Sequence, residues 1–211
     1  MNWFTSLFTK RPNKIYTNEE HQSVKKSQTF ELYEKGKENF LDKEMYQALL
    51  NFDEAIENGF TVYFQNYNAE LFDLRARCLQ ELKFDFDAIR DFDKSISLSG
   101  NDCNTFFARS LSKTSVLDYV GAILDLEKAI ELSKIDNEIN REYNAVAREQ
   151  GNPNGACDFF AIRLLRAKME LSWELESKQK IENASTQDEK QFRQELYDQD
   201  RLKKLNRIKH R

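Results

Sequence analysis

Ala88-Ile89-Arg90-Asp91-Phe92-Asp93-Lys94-Ser95-Ile96-Ser97-Leu98 and Ala122-Ile123-Leu124-Asp125-Leu126-Glu127-Lys128-Ala129-Ile130-Glu131-Leu132 are one pattern written twice, 34 residues apart. Alanine, isoleucine, aspartate, lysine, isoleucine and leucine return in the same places. Apolar residues three and four apart place each segment on an amphipathic helix. A fixed period of this length marks helical units that stack. The lattice extends both ways. Ala156, 34 residues beyond Ala122, is followed by Phe160, while Ala48, Phe52, Ala55 and Ile56 repeat the spacing of Ala88, Phe92, Ser95 and Ile96 at an offset of 40.

Each alanine has a small residue twelve positions before it: Gly36, Ala76 and Ser110 precede Ala48, Ala88 and Ala122. Two antiparallel helices about 8–10 Å apart need small side chains where they touch, so each unit is a helical hairpin. Phe52, Phe92, Leu126 and Phe160 return to the alanine face one turn later. That stripe stays wet in a lone hairpin and is buried only when the next unit stacks on it. The pattern predicts helices at 30–41, 44–58, 69–82, 85–98, 103–114, 118–132, 137–150 and 154–180. Gly59 and Ser99-Gly100-Asn101-Asp102 punctuate the units, and Asn152-Pro153 is expected to open the last second helix as cap and first residue. The six extra residues between units one and two fall in 60–68, whose Phe60, Tyr63, Phe64 and Tyr67 are expected to cover the seam between units or to form a lid.

Composition agrees with helices and excludes much else. Only 6 Gly and 2 Pro in 211 residues leave little material for the turns of a sheet protein. No apolar run approaches the roughly 20 residues of a membrane span. The start does not read as a signal peptide, because Lys10-Arg11-Pro12 follow rather than precede Trp3, Phe4, Leu7 and Phe8. Cys78, Cys103 and Cys157 have no metal-ligand spacing, and the only histidines are His21 and His210. Three free thiols point to a reducing compartment, so a cytoplasmic location is expected.

The net charge of −4 hides a segregation. Residues 1–28 carry five cations against two acids and 201–211 carry six cations and no acid, so the ends are +3 and +6 and the body is −13. The first segment, 1–28, reads as an N-terminal arm. Its aromatics either pack on the first unit or anchor weakly to a membrane or partner, and Thr17 and Glu20 have the spacing of a capping box. Residues 172–211 read as a charged helical extension, broken near Asn183-Ala184-Ser185-Thr186 and resuming from about Gln187. It either covers the last unit and then projects, or docks as a coiled coil. Its 201–211 tail is expected to be solvated, with a weak contact to anionic surfaces as the alternative.

These residues resemble the tetratricopeptide-repeat family over about 29–171, with units near 29–60, 69–102, 103–136 and 137–171. The family's small residue, alanine, aromatic and second alanine stand here as Gly36, Ala48, Phe52, Ala55; Ala76, Ala88, Phe92, Ser95; and Ser110, Ala122, Leu126, Ala129. The fourth unit offers Asn144, Ala156, Phe160 and Arg163, departing at Asn144 and Arg163, and Asn140 stands where Leu32, Phe72 and Phe106 supply an early large residue. Gly151-Asn152-Pro153-Asn154-Gly155-Ala156-Cys157 is similar to the turn in bacterial members. The resemblance implies an all-α, right-handed solenoid of about four helix-turn-helix units with a C-terminal capping helix. It also implies a non-catalytic interaction scaffold that holds a peptide or helix in a concave groove.

Carried over position by position, the groove residues are Tyr33, Lys37 and Phe40; Asp73, Arg77 and Gln80; Phe107 and Leu111; and Arg141, Ala145 and Arg148. The family's clamp for chaperone tails wants a lysine, two asparagines, a lysine and an arginine. This chain has Tyr33, Lys37, Leu74, Asn104 and Ala108 there, so chaperone C-termini are not expected. No phosphate loop, metal-binding motif or nucleophile triad can be assembled. No catalytic residue, cofactor, metal or small-molecule substrate is therefore expected, and the partner is a protein or peptide. The alternative is a peripheral protein tethered to membrane or nucleic acid by its basic ends, which salt would weaken.

Overall fold

The computed structural model describes residues 18–99 and 102–209. The expectations for Trp3, Phe4, Leu7, Phe8, Pro12 and Thr17, and for 100–101 and 210–211, lie outside those residues. Among the described residues the elements are helices α1 (Asn18–Leu41), α2 (Met45–Glu57), α3 (Phe60–Tyr63), α4 (Asn68–Glu81), α5 (Asp85–Ser99), α6 (Cys103–Ser115), α7 (Tyr119–Ser133), α8 (Glu138–Glu149), α9 (Ala156–Glu182) and α10 (Gln187–Lys209), with no strand. α1 starts twelve residues before the predicted helix and runs unbroken through part of the expected arm.

Three hairpins, α1/α2, α4/α5 and α6/α7, are built alike. Gly36, Ala76 and Ser110 face their partner helices: a Cβ on Gly36 would stand 2.5 Å from the Phe52 ring, and Ala76 and Ser110 are buried. The turns also repeat. Lys43, Lys83 and Leu117 are left-handed, with φ of 63°, 68° and 64°. The amides that follow, on Glu44, Phe84 and Asp118, each donate at 2.8 Å to Asn39, Leu79 and Lys113 carbonyls. This is a Schellman closure, here using residues other than glycine. The link aromatics fold onto α1: buried Phe60 lies 4.6 Å from Tyr33 and 5.0 Å from Phe64, centroid to centroid.

An ionic staple recurs with the lattice. Arg75 donates to both Asp91 oxygens at 2.5 and 2.9 Å and to Asp53 of the preceding unit at 2.9 Å. Arg109 repeats this with Asp125 at 2.8 and 2.5 Å and Asp93 at 2.6 Å, and Lys113 adds a contact to Asp125 at 2.9 Å. Each arginine thus ties its own second helix to the one before it.

The fourth unit departs from the expected hairpin. α9 packs on α7 far more extensively than on its predicted partner α8. Phe160 stacks on Phe107 of α6 at 4.8 Å. Lys168 pairs with Glu127 at 2.9 Å, and the acids at Glu170 and Glu174 act on Tyr119, so α9 runs antiparallel to α7. That is the place a first helix takes in the other units. The cause lies in α8's two asparagines. Asn140, fully buried, donates to the Leu132 and Ile135 carbonyls at 2.7 and 2.9 Å and accepts from Cys103 Sγ at 3.2 Å. Asn144 donates to the Ser133 carbonyl at 3.0 Å and accepts from the Ala156 amide at 2.9 Å. Polar side chains at these two positions cannot form an apolar seam, but they satisfy the open carbonyls at the end of α7 and an open amide at the start of α9.

Asn152-Pro153 therefore does not open α9. Asn152 closes the turn after α8, its amide donating to the Ala147 carbonyl at 3.0 Å beside Gly151 at φ 88°, and α9 begins at Ala156 with Gly155 at φ 83°. Beyond the break, Thr186 Oγ1 accepts from the Glu189 amide at 3.2 Å and α10 folds back along α9. Trp173 and Tyr197 stack at 6.0 Å, Tyr197 donates to Glu174 at 3.0 Å, and Lys204 reaches Glu170 at 2.8 Å while sitting over the Trp173 ring. The described part of the 201–211 tail is thus packed at Lys204 rather than solvated throughout.

Candidate functional site

The first helices α1, α4 and α6 share one face, and their side chains join across it. Lys37 on α1 pairs with Glu70 on α4 at 3.0 Å and lies 5.2 Å from the Tyr33 ring. On α4, Arg77 holds Asp73 at 2.7 Å, one turn apart on the same helix. The Thr105 hydroxyl of α6 lies 2.9 Å from Asp73 and 3.0 Å from Asp102 and shares its one proton between the two carboxylates. Gln80 donates to the Ala108 carbonyl at 2.8 Å and to Ser112 Oγ at 2.7 Å. Asn104 of α6 donates to the Tyr143 hydroxyl of α8 at 3.1 Å. Burial first, then the Asp102 carboxylate, raises the pKa of the Tyr143 phenol, which therefore stays neutral at physiological pH.

Several expected groove residues fall elsewhere. Tyr33 is fully buried against Phe60 and Phe52, and Phe107 is half-buried under Phe159 and Phe160. Asp73, at the equivalent position, stays on the shared face but turns its carboxylate toward Thr105 of the following unit. All three stand three residues before the small residue, and that position points at the next element along the stack rather than outward. Phe40 packs into the first core. Lys37, Arg77, Gln80 and Leu111 are half-buried.

Arg141 and Arg148 are exposed and line a separate cleft with Lys134, together with Asn154 and Cys157 from the start of α9. Tyr143 takes the place beside α6 that was expected for Arg141. The swap follows from α8 lying across the end of α7, which rotates its repeat positions away from α6. The sequence names Asn104 only at a clamp position and does not name Tyr143; only the placement of α8 pairs them.

Among the described residues, no three His, Cys, Asp or Glu side chains converge as a metal site would require, and no helix is long and apolar enough to cross a membrane. No protein-family model and no curated protein matches the chain. Solved structures do. A chain of the UNC-45 chaperone, from work on its binding and folding of muscle myosin, matches 78% of this chain at 17% identity with a TM-score of 0.53; the match spans 17% of the UNC-45 chain.

The fold is a tetratricopeptide-like helical solenoid.

The Arabidopsis OM64 tetratricopeptide domain is similar over 56% of this chain and 92% of its own, at 20% identity and a TM-score of 0.46. The first tetratricopeptide domain of Spaghetti (RPAP3), solved with the HSP90 peptide SRMEEVD, is similar over 59% and 97%, at 19% identity and a TM-score of 0.43. At these identities the likeness speaks to the solenoid alone.

Proposed function

We propose that this solenoid is a non-catalytic scaffold that binds a peptide or helix of a protein partner on the face shared by α1, α4 and α6. One observation carries the reading. Polar and charged side chains form a row across three stacked units, from Lys37 and Glu70 through Arg77 and Asp73 to Asn104 and Tyr143, and neighbouring units touch through it. Such a row is pre-organised, so a bound peptide would meet donors and acceptors already fixed in place. It lacks the lysine and arginine pattern of the chaperone-tail clamp, so the partner is not a chaperone C-terminus. The three free thiols support a reducing, cytoplasmic setting. Tethering through 201–211 has less support, because Lys204 is already engaged by Glu170 and Trp173.

The test is capture from the cell of origin with the intact chain, compared with Lys37→Ala/Arg77→Ala. Helix content and melting should change little, and recovery of the partner should fall at least tenfold. Equal recovery by the double variant would remove the row from the binding surface.

A further inference from the structure

We infer that the cleft between the end of α7, the outer side of α8 and the start of α9 is a second binding site, for an acidic peptide segment carrying two carboxylates about three residues apart. It is distinct from the face shared by α1, α4 and α6. On α8, Tyr143 turns to Asn104, whereas Arg141 and Arg148 lie about 140–160° further round the helix at 100° per residue.

The cleft has a volume of about 360 Å³. Its lining includes Lys134 from the end of α7, Arg141, Asn144 and Arg148 from α8, and Asn154, which is bonded to Asp158, and Cys157. Among the described residues Asp136 is the only acid in its lining, with Asp158 behind it on Asn154; Asp136 pairs with Arg141 at 3.0 Å, and both side chains are largely exposed. Among the described residues Lys134 and Arg148 have no ion-pair partner. This excess of positive charge stands out on a chain of net charge −4.

Spacing selects the ligand. Arg141 and Arg148 are seven residues apart, which on a helix is about 10 Å along the axis at roughly 1.5 Å per residue. A polyproline II segment advances about 3.1 Å per residue with three residues per turn, so side chains three residues apart share one face and cover about the same distance. One carboxylate would meet Arg148 and Lys134, and the other would compete with Asp136 for Arg141. Arginine presents a planar fork suited to a carboxylate, which favours such a ligand over neutral polar segments.

The experiment titrates the full-length, isotope-labelled protein with a glycine-spaced peptide bearing two aspartates three residues apart, and follows backbone amide signals. Its controls are the same peptide with asparagines and inorganic phosphate alone. Saturable shifts centred on Asn154 and Cys157 are expected with the aspartate peptide and not with the asparagine peptide. Lys134→Gln/Arg148→Gln should weaken binding at least tenfold, while Lys37→Ala/Arg77→Ala should leave it unchanged, which separates this site from the shared face. Absence of binding, equal binding of the asparagine peptide, or undiminished binding by Lys134→Gln/Arg148→Gln would overturn the assignment. Phosphate binding as tightly as the aspartate peptide would also overturn it, reducing the cleft to a free-ion site.

Discussion

Asp125 is 3% exposed and takes both Arg109 and Lys113. Removing the acid from so buried a network leaves Lys113 without a counter-charge and Arg109 with only the exposed Asp93. Asp125→Ala is expected to cost roughly 3–5 kcal/mol in chemical denaturation, and a loss below 1 kcal/mol would show the staple to be ornamental. The recurrence of Asp91 and Asp125 was visible in the sequence; Arg75 and Arg109 keep the same 34-residue offset but lie outside the stripe that revealed it. What could not be read was their pairing, since charged residues on amphipathic helices ordinarily face water. Tyr33 is the opposite case, a polar aromatic assigned to a groove and found in a core. Tyr33→Ala should therefore cost about 3–5 kcal/mol, as large aromatic truncations in cores do.

Burial also decides the thiols. It raises the pKa of Cys78 and of Cys103 from about 9 to about 12, while Cys157 is only partly buried. An unfolded chain ionises these thiols first, so high pH favours unfolding. Their contribution to stability is intact below about pH 9 and declines as pH rises from there toward 12. A thiol reagent at neutral pH should label Cys157 rapidly and the other two only at the rate of unfolding; three equally fast thiols would contradict the burial.

At the scale of elements, most boundaries were legible, but not the start of α1, twelve residues ahead of the expected one, nor the opening of α9. The break at 183–186 and the restart at Gln187 follow from local capping chemistry, and the second helices α5 and α7 follow from a strong alanine stripe. The placement of α8 was not legible, because its sequence keeps a helical period while two asparagines replace the residues that would pack. Only the open carbonyls at the end of α7 explain where those side chains go. Asn144→Ala breaks both of its bonds, to Ser133 and Ala156, and should cost about 1–2 kcal/mol, comparable with loss of a helix cap. Asn144→Asp should retain the Ala156 bond and lose the other, and so fall between wild type and alanine. At the far end, deletion of 201–211 removes Lys204 from the Trp173 ring. In a Trp3→Phe background the fluorescence should shift to the red, whereas an unchanged spectrum would mean that the tail does not cover this ring.

For the whole molecule, the stack matters because it puts side chains from separate hairpins on one face. Lys37, Arg77 and Asn104 are 40 and 27 residues apart in the chain. They come into one row because the units repeat and the Asp73–Thr105 bond ties α4 to α6. The sequence carried the existence of that face, through its period, and named Lys37 and Arg77. It could not name Tyr143, because α8 leaves the lattice. The account turns on whether a partner lies along this row. Hydrogen–deuterium exchange on the captured complex measures that directly, by comparing amide protection in the free and bound chain. The prediction is slowed exchange at the exposed ends of α1, α4 and α6, with α2, α5 and α7 unchanged. Slowing confined to α2, α5 and α7, or to α10, would contradict it.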